Sequence, residues 1–285
     1  MAPALTRDFF YERHPRKAAG ISFELEDILY SDQSHYQKVD ILQTKNYGRM
    51  MLLDEVVMLT SVDEFVYHEM ISHVPLSVHP RPQQVLTIGG GDGGTLREVV
   101  KHPTVERAVL AEIDQKVLDV SRKYFPEIAA GLDHPKADLQ IGDALEYIKD
   151  KKAEFDVILS DSTDPIGPAV GLFEQPFYQN VYEALTGDGI FVAQSESPFW
   201  DPEIVQKIVK NLTPVFPVVR FYLAFIPTYP SGMWSFVFAS KGPDPIKDLR
   251  NDATAHFQSE LKYYSPEIHQ AAFTLPPFVK KLIYA

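Results

Sequence analysis

The chain has 285 residues, a formal net charge of −12 at pH 7 and no cysteine. With 45% hydrophobic residues, a chain of this length buries one large core, or one large and one small core. The acidic balance argues against nucleic acid or an anionic membrane as a partner, and the lack of cysteine excludes disulfides, thiol nucleophiles and cysteine-bound metals. Since no apolar run is long enough to span a membrane and residues 1–16 lack the apolar region of a secretory signal, we expect a cytoplasmic protein.

The N-terminal part of the chain has the pattern of a small antiparallel sheet. Residues 20–60 alternate short apolar and polar stretches, with turn signals between them. A helix follows, because Ser61 and Glu64 have the spacing of a capping box and the helical pattern ends near Pro75. We therefore predict an N-terminal β domain with a linking helix over residues 1–75.

From residue 76 onward the pattern is that of an α/β domain. A proline-marked hinge is followed by strand-like segments that alternate with helical runs, which is the pattern of a parallel sheet. The strand-like segments are "VLTIGG", "RAVLAEID", "DLQIGD", "FDVILSDS" and "GIFVAQS". Helical runs begin near Thr95, Gln115, Ala144 and Gln175. These features predict a second domain over residues 76–285, with a Rossmann-like α/β fold.

The segment "VLTIGGGDGGTLREVV", residues 85–100, reads as a strand, a tight glycine-rich loop and a helix. Such loops present backbone N–H groups and a helix N-terminus, and both favour an anionic ligand. Asp92 lies in the middle of the glycines, where it would repel a pyrophosphate or a carboxylate. The loop therefore favours a ligand that is cationic at this point.

Acidic residues follow each of the first four predicted strands of the parallel sheet. In an open α/β sheet the ligand lies at the carboxyl ends of the strands. Glu112 has the position from which a carboxylate accepts both hydroxyls of an adenosine ribose. Asp143 can accept from an adenine amine while the N–H of Ala144 donates to a ring nitrogen, although Asp143 has an alternative role as a helix cap. Taken together, these acids indicate an adenosyl ligand without phosphates.

Four segments carry a resemblance to a known family: "GGGDGGTLREVVKH", "DSTDPIGPA", "LDEVVMLTSVDEFVYHEM" and "IPTYPSGMWSF". The chain resembles the polyamine aminopropyltransferases, spermidine synthases in particular, from about Phe23 to "FVKKL". The resemblance implies a small N-terminal antiparallel β domain and a Rossmann-like, S-adenosylmethionine-binding catalytic domain. It also implies transfer of the aminopropyl group of decarboxylated S-adenosylmethionine to putrescine, which gives spermidine and 5'-methylthioadenosine.

The resemblance further implies the residues of the site, with Asp161 as the catalytic proton acceptor. The implied contacts to the donor and to methylthioadenosine are Gln37, Asp92, Glu112, Asp143, Ala144 and Pro168. The implied contacts to the amine are Tyr67, His68, Asp92, Asp161, Ser162, Thr163, Asp164 and Tyr229. The donor is a co-substrate, so no cofactor is expected, and the family implies a homodimer or a homotetramer. No metal is expected, because "HEMISH" lacks the spacing of a zinc-binding helix and His73 is interpreted as structural.

One segment departs from the family pattern and leaves the acceptor amine open. Glu55 replaces a glycine, Met58 replaces a glutamine, and Ser61 and Val62 replace a charged pair. Agmatine, cadaverine or spermidine are therefore alternatives to putrescine. Two other classes also remain: a methyltransferase, which Asp92 opposes, and a non-catalytic polyamine-binding protein, which would be expected to lose the acidic pair at Asp161 and Asp164.

Overall fold

The computed structural model describes residues 9–14 and 17–284. The N-terminal part forms a five-stranded antiparallel sheet in which the strands lie in chain order. Its strands are β1 (Phe9–Arg13), β2 (Gly20–Gln33), β3 (Lys38–Thr44), β4 (Arg49–Leu53) and β5 (Val56–Thr60). The predicted antiparallel sheet is confirmed, and the structure adds β1, a short strand that lies before the segment with the clear sequence pattern.

The second sheet has seven strands, of which β6 to β10 are parallel. Its strands are β6 (Gln84–Gly89), β7 (Arg107–Glu112), β8 (Ala137–Ile141), β9 (Phe155–Asp161), β10 (Leu185–Gln194), β11 (Val218–Phe225) and β12 (Met233–Ser240). The last two strands run antiparallel to their neighbours. The seven strands lie in the order β11-β12-β10-β9-β6-β7-β8, which places β6 beside β9. The strand order therefore runs in opposite directions on the two sides of the β6–β9 pair. A crevice at the carboxyl ends of β6 and β9 is the expected ligand position.

Helices cover both faces of the seven-stranded sheet. They are α1 (Glu64–Leu76), α2 (Gly94–Val100), α3 (Gln115–Tyr124), α4 (Ala144–Lys149), α5 (Gln175–Ala184), α6 (Pro202–Leu212), α7 (Pro266–Ala272) and α8 (Pro277–Tyr284). Helices α1 and α2 share one buried apolar cluster with the sheet, and α5, α6 and α8 share a second cluster on the other face. No helix in the described ranges combines the length and the apolar character needed to cross a membrane.

Two helices connect the N-terminal sheet to the rest of the molecule. Val117 and Val120 of α3 pack in one buried cluster with Val39 and Ile41 of β3. Helix α1 leads directly from β5 into the core beneath the seven-stranded sheet. The predicted domain limit between residues 75 and 76 falls in the last turn of this helix.

The capping box predicted for the start of α1 is wrong. The helix begins at Glu64, and the residue before it is Asp63, whose side chain does not cap the helix. Asp63 instead accepts hydrogen bonds from the hydroxyl of Thr60 at 2.6 Å and from the backbone and hydroxyl of Thr228 at 2.9 and 2.7 Å. The Ser61 hydroxyl accepts a hydrogen bond from the backbone of Arg49 at 3.0 Å, because this residue still belongs to the end of the sheet.

Candidate active site

A cleft of about 1270 Å³ lies between the N-terminal sheet and the carboxyl ends of the parallel strands. All of the site residues implied by the resemblance line this cleft: Gln37, Tyr67, His68, Asp92, Glu112, Asp143, Ala144, Asp161, Ser162, Thr163, Asp164, Pro168 and Tyr229. They come from both parts of the molecule, and the cleft includes the crevice between β6 and β9. The roles assigned to these residues stay predictions, but the fold brings all of them to one place.

The glycine-rich loop makes room for acidic and basic side chains of the protein itself. A Cβ atom on Gly90 would lie 2.6 Å from Oδ2 of Asp161, and the backbone of Gly90 has a φ of +70°. A Cβ atom on Gly94 would lie 2.3 Å from the ring of His68. Any larger residue at either position would displace one of these side chains. The glycines are therefore required by the close approach of Asp161 and His68, whatever ligand the loop contacts.

Asp92 is held as an ionised acid inside this loop. Its Oδ1 accepts a hydrogen bond from the backbone of Gly94 at 2.7 Å and lies 3.2 Å from Nε2 of His68. Burial opposes its ionisation, but the charge and hydrogen bond of His68 and the N–H of Gly94 outweigh that cost and lower the pKa of Asp92. Asp92 can therefore present a negative charge to a cationic ligand at neutral pH.

The pKa of Asp161, at the end of β9, is shifted in the opposite direction to that of Asp92. Burial, together with the negative charge of Asp92, raises the pKa of Asp161 to about 6. The hydroxyls of Thr95 and Tyr67 act against this rise, and Thr95 Oγ1 donates to Asp161 Oδ2 at 2.6 Å. An acid with this pKa is ionised at pH 7 and is a stronger base than an ordinary aspartate, so Asp161 is suited to accept a proton.

His68 lies between two carboxylates and is a cation at neutral pH. Burial lowers the pKa of an imidazole, but Asp92 and Glu64 outweigh this effect and raise the pKa of His68 to about 10. Nδ1 faces Oε2 of Glu64 at 2.5 Å, and Nε2 faces Asp92. Because both ring nitrogens already point at carboxylates, the implied contact of His68 with the amine stays a prediction, and its direct partners in this structure are Glu64 and Asp92.

His68, Asp92 and Asp161 offer three atoms within 4.8 Å of one another, which is the spacing of a metal site. However, a protonated imidazole has no lone pair to give to a metal, and the pKa of His68 is about 10. At neutral pH the cluster therefore suits an organic cation that donates hydrogen bonds better than it suits a metal ion.

Glu112 ends β7 and lies beside the glycine loop. Its Oε2 accepts from the backbone of Gly91 at 3.1 Å and its Oε1 accepts from the backbone of Asp114 at 2.9 Å. Burial raises the pKa of Glu112 to about 7 in spite of these N–H donors. Asp114 in turn accepts from the amide of Gln37 at 3.2 Å, which ties the N-terminal sheet to this part of the cleft.

Asp143 caps a helix, as its alternative interpretation predicted. Its Oδ1 accepts a hydrogen bond from the backbone of Leu145 at 2.8 Å, in the first turn of α4. Its carboxylate is exposed on the cleft wall. The second oxygen can still accept from a ligand, so the cap does not compete with the implied contact to adenine.

Further acids lie in the cleft that the sequence analysis missed. Glu12 of β1 accepts from the backbone of Val57 at 2.9 Å, and burial together with the nearby Asp164 raises its pKa to about 7. Glu196 is 3% exposed and has a left-handed backbone with a φ of 64°, a strained conformation that is frequent at functional sites. Burial and Asp164 raise the pKa of Glu196 well above its usual value. Glu196 follows β10, so the search for acids at strand ends could have found it, whereas nothing in the sequence pointed to Glu12.

Aromatic side chains form one wall of the cleft. The rings of Tyr67 and Tyr229 lie 6.0 Å apart, and those of Tyr229 and Trp234 lie 4.6 Å apart. The hydroxyl of Tyr229 donates to the backbone oxygen of Met58 at 2.6 Å. This bond fixes Tyr229 against β5, so Met58 contacts the aromatic wall through its backbone as well as lining the cleft.

Comparison with known proteins agrees with this geometry. A family model described as "Spermine/spermidine synthase domain" matches residues 64–251, and one described as "Spermidine synthase tetramerisation domain" matches residues 9–61. The polyamine aminopropyltransferase of Caldicellulosiruptor saccharolyticus is 50% identical over 93% of this chain and 94% of its own length. That of Bacillus cytotoxicus is 46% identical over 97% of this chain and 99% of its own length.

Solved structures show the same similarity. A spermidine synthase in complex with the transition state analogue AdoDATO superposes with a TM-score of 0.95 at 46% identity, over 99% of this chain and 96% of that chain. The spermidine synthase from Thermotoga maritima superposes with a TM-score of 0.93 at 46% identity, with the same coverage of 99% and 96%. The predicted fold class is confirmed. The chain belongs to the spermine/spermidine synthase family of polyamine aminopropyltransferases, and is a transferase.

Proposed function

We propose that the protein transfers the aminopropyl group of decarboxylated S-adenosylmethionine to putrescine, giving spermidine and 5'-methylthioadenosine. The observation that carries this proposal is the pair Asp92 and Asp161. Their carboxylates are neighbours in one cleft, and their surroundings move the two pKa values in opposite directions. One acid stays ionised to hold a cation, and the other is prepared to take a proton, which is the division of roles that this reaction needs.

Charge complementarity supports the choice of donor. Decarboxylated S-adenosylmethionine carries a sulfonium and an ammonium, and the ammonium of the aminopropyl group would lie against Asp92. Glu112 and Asp143 would bind the adenosyl part, with Gln37, Ala144 and Pro168 beside them, as the family resemblance implies. Ordinary S-adenosylmethionine would bring a carboxylate to Asp92, so the loop would select against it.

The chemical step begins with a proton transfer from the acceptor to Asp161. An aliphatic ammonium has a pKa near 10.4, so freeing its lone pair at pH 7 costs about 4 to 5 kcal/mol. Asp161, whose pKa is about 6, accepts the proton, while Tyr67 and Tyr229 restrict the position of the amine. The freed lone pair attacks the propyl carbon next to sulfur. The carbon–sulfur bond breaks as the carbon–nitrogen bond forms, its electron pair leaves on a neutral thioether, and the attacking nitrogen becomes a secondary ammonium.

The unreactive end of a diamine would lie near Asp164, which the resemblance implies as an amine contact, and near two acids that the sequence analysis missed. Asp164, Glu12 and Glu196 all line the cleft, and Asp164 lies close enough to the other two carboxyl groups to raise their pKa values. A second ammonium placed there would stabilise the ionised forms of these acids, and the resulting carboxylates would bind the ammonium by charge attraction. An acceptor with a cation at each end is therefore favoured over a monoamine.

Competition between amines tests the choice of putrescine. Fixed acids at both ends of the slot measure the length of the acceptor, but one extra methylene is worth only about 1 to 3 kcal/mol, so we expect cadaverine to react roughly 10 to 200 times less efficiently. We expect putrescine to have the highest kcat/KM when it competes at equal concentration with cadaverine, agmatine and spermidine. A higher kcat/KM for agmatine or spermidine would retain the aminopropyl transfer and reject putrescine as the preferred acceptor.

We also propose a homodimer or a homotetramer that needs no cofactor and binds no nucleic acid. The match of residues 9–61 to a tetramerisation domain supports the assembly, and the net charge of −12 supports the lack of nucleic acid binding. Light scattering should give a mass of two or four chains. Full activity after extensive dialysis against EDTA is expected, and its loss would contradict the proposal that no metal is needed.

A further inference from the structure

A chain of buried ion pairs leads from the cleft into the contact between α1 and α2. Arg97 donates to both carboxylate oxygens of Glu64, at 3.1 and 2.9 Å, and Glu64 Oε2 is 2.5 Å from Nδ1 of His68. On its other side, Arg97 Nε donates to Glu98 Oε1 at 2.7 Å. Glu64, His68 and Glu98 are all buried. A bidentate contact between arginine and a carboxylate fixes both groups in orientation as well as in charge.

This arrangement leaves Glu64 and Arg97 with little freedom to turn. Glu98, which anchors the far side of Arg97, is itself held by Lys101 at 2.7 Å and by His73 Nε2 at 3.1 Å. Glu64 therefore presents one fixed oxygen to His68, and His68 presents its Nε2 to Asp92 at 3.2 Å. Neither Glu64 nor Arg97 is among the site residues that the family resemblance implies.

We propose that Glu64 and Arg97 form a positioning pair that holds His68 as a cation against Asp92, and thereby fixes the carboxylate that receives the donor. This proposal rests on the proposed function for the identity of the donor. The pair touches neither the donor nor the acceptor and acts through His68.

Charged and polar groups face His68 from four elements of the fold. Glu64 and the ring of Tyr67 face His68 from α1, Asp92 faces it from the glycine loop, Asp161 from β9, and Arg97 lies behind Glu64 on α2. With Glu64 ionised, the pKa of His68 is about 10 and His68 is an imidazolium at neutral pH. Without that charge, the pKa of His68 falls, and the loss of its proton raises the pKa of both Asp92 and Asp161.

Nuclear magnetic resonance of ¹⁵N-labelled histidine tests the proposal without any assay of activity. The signals of His68 are assigned by their loss in His68→Gln. In the unmodified protein both ring nitrogens should be protonated at about pH 8.5, and in Glu64→Gln the titration midpoint should fall by at least about one pH unit. A neutral His68 in the unmodified protein at that pH, or an unchanged midpoint in Glu64→Gln, would overturn the proposal even if the donor is confirmed.

Kinetics of matched variants separate positioning from a structural role. Removing a charge-assisted hydrogen bond should lower kcat/KM for the donor about tenfold to a hundredfold in Glu64→Gln, and the fall should deepen at alkaline pH as His68 loses its proton. The control is Glu69→Gln, which removes a buried charge from the same helix. Glu69 accepts only from the backbone of residues 262–264 in the described structure. The kcat/KM of Glu69→Gln for the donor, corrected for the folded fraction, should change by less than about threefold, and its dependence on pH should stay the same.

If Glu64→Gln does not fold, substitutions of Arg97 test whether the ion pair positions His68. Arg97→Lys keeps the positive charge beside Glu64, whereas Arg97→Met removes it. We expect Arg97→Lys to retain several times more kcat/KM for the donor than Arg97→Met. Equal activity of the two variants, or equal losses in Glu64→Gln and Glu69→Gln, would show that the ion pairs serve only the fold.

Discussion

Asp92 Oδ1 lies 3.2 Å from Nε2 of His68 and 2.7 Å from the backbone nitrogen of Gly94. An N–H group that would contact a phosphate in many glycine-rich loops is therefore directed at an acid of the protein itself. The imidazolium of His68 supplies a second donor. This pair of donors explains how a carboxylate is tolerated in an otherwise anion-binding loop, and it leaves Asp92 ionised for a cationic ligand.

We predict that Asp92 selects the donor. Asp92→Asn should weaken the binding of decarboxylated S-adenosylmethionine by about 2 kcal/mol or more, because a buried charge-assisted hydrogen bond to the ammonium of the donor is lost. Ordinary S-adenosylmethionine should be weakened less, and calorimetry of both ligands measures the difference. Asp164→Asn, in the same cleft but on the amine side, should leave donor binding close to normal. If Asp92→Asn weakens the binding of both ligands equally, Asp92 does not select the donor by charge.

Thr95 is predicted to set the pH at which Asp161 becomes active. Its hydroxyl donates to Asp161 at 2.6 Å and stabilises the carboxylate, so Thr95→Val should raise the pKa of Asp161 above its value of about 6. Since Asp161 works as a base, activity is present above this pKa and is lost as the pH falls through it. The acidic limb of the pH profile of kcat should therefore move to higher pH by about one unit.

Thr87→Val provides the matched control for Thr95→Val. Thr87 lies in β6, is completely buried, and its hydroxyl has no hydrogen-bond partner among the residues that the structure describes. The same substitution there should leave the acidic limb in place. If both variants shift the limb equally, or if neither does, the hydroxyl of Thr95 does not control Asp161.

Binding of methylthioadenosine should strengthen between pH 6 and pH 8. The pKa of Glu112 is raised to about 7 by burial, and only the ionised carboxylate accepts from both ribose hydroxyls. The affinity should increase by up to about tenfold as the proton leaves. Calorimetry at the two pH values measures this change, which should persist in Asp161→Asn and disappear in Glu112→Gln. A pH-independent affinity in the unmodified protein would contradict the role given to Glu112.

The sequence predicted those parts of the site that follow from local pattern. Asp161 and Glu112 could be found because parallel strands end at one edge of the sheet, and the same rule reaches Glu196. The pairing of Glu64 with Arg97 could not be found in this way, because it depends on the packing of two helices whose contacting residues lie 33 positions apart. The false capping box at Ser61 has a similar cause, since the end of β5 outweighs the local preference for a helix cap.

Formation of methylthioadenosine tests the proposed aminopropyl transfer most directly. Incubation of the protein with decarboxylated S-adenosylmethionine and putrescine should release methylthioadenosine and spermidine in equal amounts, as measured by chromatography. Ordinary S-adenosylmethionine should give neither product, and Asp161→Asn should be slower by about 100-fold or more while it still binds the donor. Absence of methylthioadenosine with every amine offered, or an undiminished rate in Asp161→Asn, would contradict the account.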